Sequence, residues 1–176
     1  MHEVGEWIES SIIDVGHYYC PSTVGFVLLP TKGIESTLIT TDELCVLVPS
    51  GHHLCAQMAV TPRELREEGF IMEKTKCALQ FLEMAGFEPS RTRPHIRYQA
   101  SDSATILAMV REGLGITLVP RKMLPKKLEG VVALPLGPPQ HLQIGLAVRL
   151  QAMASPGAKL FVQTALAWTQ EQTSLR

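Results

Sequence analysis

The sequence predicts an α/β protein, in which helices cover the faces of a sheet. Short apolar segments alternate along the chain with amphipathic helices, which is the pattern that builds this class of fold. Of the 176 residues, 45% are apolar and 19% are charged, a composition typical of a chain that folds around its own hydrophobic core. A chain of this length forms one domain or two small lobes.

The first part of the chain is predicted to contain a helix end, several short strands and one helical turn. The helix end covers residues 3–10, and the strands cover residues 12–15, 26–29, 34–40 and 44–48, with a break at 41–43. Thr61, Pro62 and Glu64 then carry the signature of a short helix. They supply an N-cap hydroxyl, a proline in the first position and a glutamate that reaches back to the cap.

The second part is predicted to alternate between strands and helices. Strands are expected at residues 70–72, 95–98 and 116–119, with one helix at about 75–85 and a second that is capped by residues 101–103 and stopped by Gly113 and Gly115. Gly86 is expected to end the first of these helices in the left-handed conformation. The remaining elements are a helical turn at 121–124, strands at 131–134 and 142–148, and a final helix from Ser155 and Pro156 to about residue 170.

Two lobes are expected from the way these strands can pair. Because parallel strands need a crossover helix, the first three strands of the second part can form a parallel β-α-β-α-β unit. This unit would lie in a lobe covering residues 42–134. Residues 1–41 and 135–176 would form the other lobe together, so that the chain crosses between the lobes twice. The prediction is two hinged lobes with a cleft and with mixed or parallel sheets.

The charge balance and the cysteines limit the class of protein. Sixteen Lys and Arg against seventeen Asp and Glu leave a net charge of -1, without the cationic excess of a stand-alone DNA-binding module. Four cysteines, at positions 20, 45, 55 and 77, lack the spacing of a zinc knuckle and are interpreted as free thiols.

The acidic N-terminus does not fit a secretory signal, and no apolar run is long enough to span a bilayer. A cytoplasmic protein without membrane contact is predicted.

No catalytic motif is found. The sequence has no nucleophile elbow, no phosphate-binding loop, no H-E-x-x-H and no S-x-x-K, so no catalytic residue, cofactor or metal is predicted. Gly113 and Gly115 follow a helix, whereas a dinucleotide fingerprint follows a strand. His52 and His53 are neighbours, and on an extended segment they would point to opposite faces. We therefore interpret them as surface-loop residues.

Two polar segments indicate a binding site. Ser101 and Ser103 lie at the start of a helix, where free backbone N–H groups and hydroxyls favour an anion. Residues 73–76 form a second polar segment at a junction between strand and helix. Both segments follow strands that are expected to be parallel, and ligands bind at that edge of open α/β sheets. Helix capping without a ligand is the alternative for either segment alone.

A series of short motifs follows in a fixed order along the chain, at residues 3–4, 7–8, 13–16, 26–30, 44–49 with His52, Leu65 with 70–71, 85–89 and 113–120. Together and in this order, these motifs resemble the effector-binding domain of LysR-type transcriptional regulators. The resemblance runs from residue 3 to about residue 167. It implies a fold similar to periplasmic solute-binding proteins, in which a small molecule binds between two lobes and biases how a dimer or tetramer presents its DNA-binding helices.

The resemblance also assigns the binding residues. In the second lobe, the positions that match the family's ligand contacts are Glu73, Lys74, Thr75, Ser101 and Asp102. In the first lobe, they are Leu28, Pro30 and Thr31. Lys74 would pair with an anionic effector, and Glu73 would receive an amine or a hydroxyl.

The chain departs from the family in two ways. Family members begin with a helix-turn-helix, a linker helix and the first elements of the effector domain, and no segment here matches these. The first lobe is therefore expected to be incomplete, and contact with DNA is expected only through a helix-turn-helix domain absent from this chain. Residues 17–25 also interrupt the match between 13–16 and 26–30, and they are predicted to loop out.

The functional prediction is an effector-sensing domain of a LysR-type bacterial regulator, which forms a homodimer or another homo-oligomer. Its expected partner is a small-molecule effector, an organic anion or an amino-acid-like metabolite. The alternatives are a solute-binding receptor of a transport system and a small enzyme of unrecognised mechanism. The free thiols and the unsuitable N-terminus disfavour the receptor, and turnover would distinguish the enzyme.

Overall fold

A computed structural model describes residues 7–8, 10–13, 15–21, 33–74, 76–87, 94–149 and 154–174. Among these, the strands are β1 (Val15–Pro21), β2 (Ile34–Pro49), β3 (Gly69–Glu73), β4 (His95–Ala100), β5 (Thr117–Pro120) and β6 (Val131–Arg149). The helices are α1 (Pro62–Leu65), α2 (Lys76–Met84), α3 (Ser103–Arg111) and α4 (Pro156–Ser174), and 3₁₀ turns cover His53–Ala56 and Arg121–Met123.

The chain divides into two compact units. Unit 1 comprises Met1–Thr41 with Leu142–Arg176, and unit 2 comprises Asp42–His141. The chain passes from one unit to the other within β2 and again within β6. The sequence-based division after residue 134 would instead assign residues 135–141 to the first lobe.

Unit 1 pairs β1 with the second half of β6. The two strands are antiparallel, from Val15 opposite Val148 to Pro21 opposite Leu142. The prediction that residues 17–25 loop out is therefore wrong for residues 17–21. Tyr18 and Tyr19 favour a strand, and pairing satisfies backbone groups that a loop would leave to water. Residues 22–30 lie outside the described part of the chain, so the rest of this prediction stays untested.

Two strand breaks predicted from the sequence do not occur. Residues 34–40 and 44–48 belong to the single strand β2, although polar residues separate them. The buried carboxylate of Asp42 accepts hydrogen bonds from the backbone N–H groups of Glu43, at 2.8 Å, and Lys122, at 2.9 and 3.2 Å. The acidic side chain is thus satisfied without interrupting the strand. The segments 131–134 and 142–148 are likewise joined in β6.

In unit 2, β3 and β4 are parallel, as predicted, with Glu73 opposite Ala100 at their carboxyl ends. The third strand of the expected parallel unit follows the prediction only at its start. Ile116 forms one parallel bridge with Phe70, and β5 then pairs antiparallel with β2, from Leu47 opposite Thr117 to Leu44 opposite Pro120. The predicted all-parallel arrangement is therefore wrong for β5.

The local signals for helix ends are confirmed. Thr61 Oγ1 accepts from the Glu64 backbone N–H, and the Glu64 carboxylate accepts from the Thr61 N–H at 2.8 Å, which completes a capping box. Gly86 follows α2 with a φ of +89°. At the start of α4, Ser155 Oγ accepts from the Ala158 N–H at 3.2 Å. These signals are reliable because each depends on residues within four positions of one another.

The core of unit 2 forms where α3 packs on the strands. Its buried residues are Leu47, Ile71, Ile106, Val110 and Val131. Phe70 and Phe87 add an edge-to-face aromatic pair, with ring centroids 5.3 Å apart. No helix in the described part of the chain is long and apolar enough to cross a membrane.

Candidate functional site

Unit 2 contains a cavity of about 250 Å³ beside the carboxyl end of β3. Its walls come from β2, β3, β5, α2, α3 and the segment that follows β5. The lining residues are Leu47, Met72, Glu73, Ala78, Phe81, Ser103, Ala104, Ile106, Leu107, Thr117, Leu118, Val119, Pro120, Met123, Leu124 and Pro125. Most of these side chains are apolar, and Glu73 is the one charged residue among them.

The parallel pairing of β3 and β4 explains why the cavity lies here. Both strands end at the same edge of the sheet, and each is followed by a helix whose first turns approach that edge. The Lys74 backbone N–H donates to the Ala100 carbonyl at 3.0 Å, which holds the two strand ends together. The structure thus brings together the two polar segments that the sequence singles out.

Glu73 is the predicted site residue that lines the cavity. Its side chain is half-buried, and no side chain of the described residues pairs with its carboxylate. Ser103, at the start of α3, and Thr117, a buried residue of β5, add hydroxyl groups to the same walls. The cavity therefore combines an apolar interior with one carboxylate and two hydroxyls, which suits a ligand with an apolar body and an amine or hydroxyl group.

Asp102 has a capping role. Its Oδ1 accepts from the Thr105 backbone N–H and its Oδ2 from the Thr105 hydroxyl, each at 2.8 Å. These two hydrogen bonds, first the one from the backbone, hold the pKa of the Asp102 carboxyl below its ordinary value. The start of α3 is thus already occupied by a negative charge, and an anion placed there would meet that charge.

The other predicted site residues are outside the cavity wall or outside the described residues. Lys74 and Ser101 are exposed and do not line the cavity. The predicted residues that lie outside the described part of the chain are Leu28, Pro30, Thr31 and Thr75. Of the sequence-based set, the structure therefore brings Glu73 to the cavity and leaves Lys74, Ser101 and Asp102 on the surface nearby.

Sequence reasoning missed most of the cavity wall. Phe81, Thr117 and Met123 come from three different elements, and each reads as an ordinary packing residue in its own segment. Only the convergence of the elements makes them neighbours. Ser103 carried a signal, since it lies in the polar segment at the start of α3.

The described thiols do not form a reactive centre. Cys45 is fully buried, and its Sγ lies 3.2 Å from the Val119 carbonyl, to which it donates. Burial, more than the nearby charges, raises the pKa of this thiol to about 12. Because the thiolate is the reactive form, Cys45 stays inert at neutral pH. The prediction of a free thiol holds for Cys45 and Cys55.

The family follows from a comparison of sequences. The profile of the LysR substrate binding domain matches residues 1–170. The chain therefore belongs to the LysR substrate-binding domain family. Its class is the effector-binding domain of a transcriptional regulator, as the resemblance of its motifs predicts. This family consists of regulator domains, so the chain is not an enzyme, and the transport alternative is not supported.

Curated relatives agree with this family. The HTH-type regulator YvbU of Bacillus subtilis, itself uncharacterized, is 28% identical over 167 residues, which cover 94% of this chain and 53% of that protein. The transcriptional activator LysR of Escherichia coli is 30% identical over 116 residues, which cover 65% of this chain and 34% of that protein. The chain thus spans about half the length, or less, of these relatives.

Solved structures confirm the fold. The effector-binding domain of QuiR, in complex with shikimate, superposes with a TM-score of 0.73 at 19% identity, over 96% of this chain and 78% of that chain. The C-terminal domain of a probable LysR family regulator from Rhodococcus sp. RHA1 gives a TM-score of 0.71 at 22% identity, over 94% and 80%. The α/β, periplasmic-binding-protein-like fold class predicted from the sequence is therefore correct.

Proposed function

We propose that unit 2 binds a small-molecule effector in the cavity beside Glu73, and that this is how the domain senses the effector. The observation that carries the proposal is a single half-buried carboxylate in a mostly apolar cavity of about 250 Å³. This volume lies just below the range of drug-sized pockets, which favours a small metabolite. LysR effector-binding domains bind small molecules, and the solved QuiR domain holds shikimate.

The ligand class that these walls favour is an amino-acid-like metabolite with an apolar side chain. Its ammonium would pair with Glu73, its side chain would enter the apolar interior, and its carboxylate would face the exposed Lys74. An organic anion without an amine, the other class considered, would place its charge close to Glu73 and Asp102. Because like charges repel, these two carboxylates would weaken the binding of such an anion. We therefore prefer the amine-bearing ligand.

The remaining ligand contacts predicted from the sequence are also proposals. Thr75, Ser101, Leu28, Pro30 and Thr31 match the family's ligand positions, and we retain them as expected contacts. Asp102 would act indirectly, because both of its carboxylate oxygens already cap α3.

Another part of the regulator would bind DNA and respond to the effector bound by this domain. The matched relative YvbU is described as an HTH-type regulator, and this chain covers 53% of it. With a net charge of -1, the chain itself has little attraction for the phosphate backbone. We therefore propose that a helix-turn-helix domain makes the DNA contact and that the protein works in the cytoplasm, where its target DNA lies.

We further propose that the domain self-associates through α4. Phe161 and Trp168 are seven residues apart, so they share one face of this helix, and Leu160 lies beside them. All three are more than half exposed. An exposed apolar face of this kind is typical of an interface, and a second copy of the chain is the expected partner.

A ligand series tests the proposed effector site. Aliphatic and aromatic amino acids are screened by thermal shift, and each hit is compared by calorimetry with its amine-free acid and its carboxylate-free amine. We expect the amine-free acid to bind at least tenfold more weakly, and Glu73→Gln to weaken binding of the hit to a similar extent. Glu83→Gln removes an exposed carboxylate from α2, outside the cavity wall, and should leave the affinity for the hit unchanged. Equal binding of the amine-free acid, or full affinity in Glu73→Gln, would overturn the proposal.

A further inference from the structure

We propose that His52, His53 and Glu68 of unit 2 form a binding site for a divalent transition metal ion such as Zn²⁺. The site is separate from the cavity, since none of the three residues lines it. One ligand atom from each residue can be chosen so that all three lie within 4.8 Å of one another.

The distances are close to those of a metal site. His53 Nε2 lies 3.0 Å from Glu68 Oε1, and His52 Nε2 lies 3.6 Å from Glu68 Oε2. In a tetrahedral zinc site with bonds of about 2.1 Å, neighbouring ligand atoms are about 3.4 Å apart. The three ligand atoms lie within 4.8 Å of one another, so the side chains would rotate to close the wider gaps when the ion binds.

The two imidazoles converge because the chain turns at this point. The sequence suggests that adjacent histidines face opposite ways, as they would on an extended segment. Instead, Gly51 adopts a φ of +86°, and His52 caps the 3₁₀ turn that starts at His53. The ring centroids are 4.4 Å apart, so the expectation that the two side chains point to opposite faces is wrong, although His53 lies at the surface.

The burial of the His52 and Glu68 side chains suits a metal-binding site. The His52 side chain is 18% exposed, so its imidazole is held against Glu68 in a largely buried position. The side chain of Glu68 is only 12% exposed, so its carboxylate is held between the rings. The nearby Glu64 is already committed, because its Oε2 accepts from Thr61 at 2.8 and 2.7 Å.

Binding would change the tautomer of His52. Its Nδ1 accepts a hydrogen bond from the Leu54 N–H, which places the ring proton of the neutral form on Nε2. To bind the ion through Nε2, His52 must carry that proton on Nδ1 and release the Leu54 N–H. At 3.4 Å this hydrogen bond is long and weak, so the change does not prevent binding.

The donor set decides the class of ion. Two imidazoles and one carboxylate suit Zn²⁺ and its first-row neighbours, whereas Mg²⁺ and Ca²⁺ prefer oxygen ligands alone. Three protein ligands leave at least one position for water. The His53 side chain is 71% exposed, which gives the ion a path to the site.

Calorimetric titration of the chelator-treated, tag-free chain with ZnCl₂ tests the proposal. We expect one equivalent of Zn²⁺ to bind, and His53→Gln and Glu68→Gln each to weaken binding at least tenfold. His53→Gln keeps the test valid if Glu68→Gln unfolds, because an exposed side chain contributes little to folding. His141→Gln, at an exposed histidine outside the cluster, should bind as the unaltered chain does. X-ray absorption at the zinc edge should show two imidazole ligands.

Three results would overturn the proposal. The first is binding of less than half an equivalent of Zn²⁺, and the second is binding that His53→Gln and Glu68→Gln leave intact. The third is binding that Cys55→Ser abolishes, since Cys55 lies in the same 3₁₀ turn and a thiolate is an alternative ligand. The effector screen does not bear on these results, because Glu73 and the cavity play no part in this site.

Discussion

The carboxylate of Asp42 accepts two hydrogen bonds from the backbone N–H of Lys122, eighty residues further along the chain, at 2.9 and 3.2 Å. Asp42 is buried with 6% of its surface exposed and lies in the middle of β2. Lys122 belongs to the 3₁₀ turn Arg121–Met123, which leads into the cavity wall at Met123, Leu124 and Pro125. A polar residue in a strand therefore positions one side of the candidate effector site.

Replacing Asp42 with alanine should destabilise unit 2 and weaken effector binding together. The Lys122 N–H loses its hydrogen bond to a buried, charged acceptor, for which we expect a loss of about 1–3 kcal/mol in the free energy of unfolding. Urea denaturation followed by circular dichroism measures this loss. Asp42→Asn keeps an acceptor oxygen and should lose less. Equal stability of Asp42→Ala and the unaltered chain would contradict this role.

The same contact shows why some elements could be predicted from the sequence and others could not. The capping box of Thr61 and Glu64 and the left-handed Gly86 are local, so nearby residues determine them. The continuity of β2 depends on Lys122, and the antiparallel pairing of β5 depends on Leu44 to Leu47, which lie at least seventy residues away. Patterns within one segment carry no information about such partners.

The candidate site, like the fold, could be predicted from the sequence only where a local pattern marks it. Glu73 and the start of α3 could be found because polar residues at strand ends stand out in an apolar sequence. The apolar walls could not, since Phe81 and Thr117 resemble core residues. Nor could the convergence of His52 and His53, which follows from the backbone turn at Gly51.

Gly86 should not tolerate a side chain. Its φ of +89° is unfavourable for other residues, and a Cβ there would lie 2.6 Å from the Pro62 Cβ at the start of α1. We expect Gly86→Ala to lower the free energy of unfolding by about 2 kcal/mol or more, from backbone strain of about 1–2 kcal/mol plus the clash. Gly113→Ala is the matched control, because Gly113 has a φ of +73° and open space around it. If both variants lose the same stability in urea, the contact with Pro62 is not significant.

The Asp102 cap should make stability depend on pH in the acidic range. Hydrogen bonds from Thr105 lower the pKa of Asp102 in the folded state below its ordinary value of 3.8. The unfolded state therefore takes up the proton first as the pH falls, so the stabilisation is complete above pH 3.8 and disappears as the pH falls through the folded-state pKa.

Melting temperatures of three proteins test this expectation. At neutral pH, Asp102→Ala should melt below the unaltered chain, and this difference should shrink as the pH falls below 3.8. Asp102→Asn caps the helix without titrating, so its difference from Asp102→Ala should not vary with pH. A constant difference between the unaltered chain and Asp102→Ala across this range would show that the carboxylate does not act as a charged cap.

Filling the cavity should weaken effector binding at least tenfold without loss of stability. Ala104 lies in the first turn of α3, where it is exposed at one side and lines the cavity at the other. Leucine is nearly as good a helix former as alanine, so Ala104→Leu should change the free energy of unfolding by less than about 0.5 kcal/mol. Its added methyl groups would occupy space that the ligand needs, and affinity for a hit from the screen should fall at least tenfold. Ala108→Leu, four residues further along the same helix and outside the cavity wall, should bind normally in the same calorimetric titration. If the two variants bind the ligand equally well, the effector does not occupy this cavity.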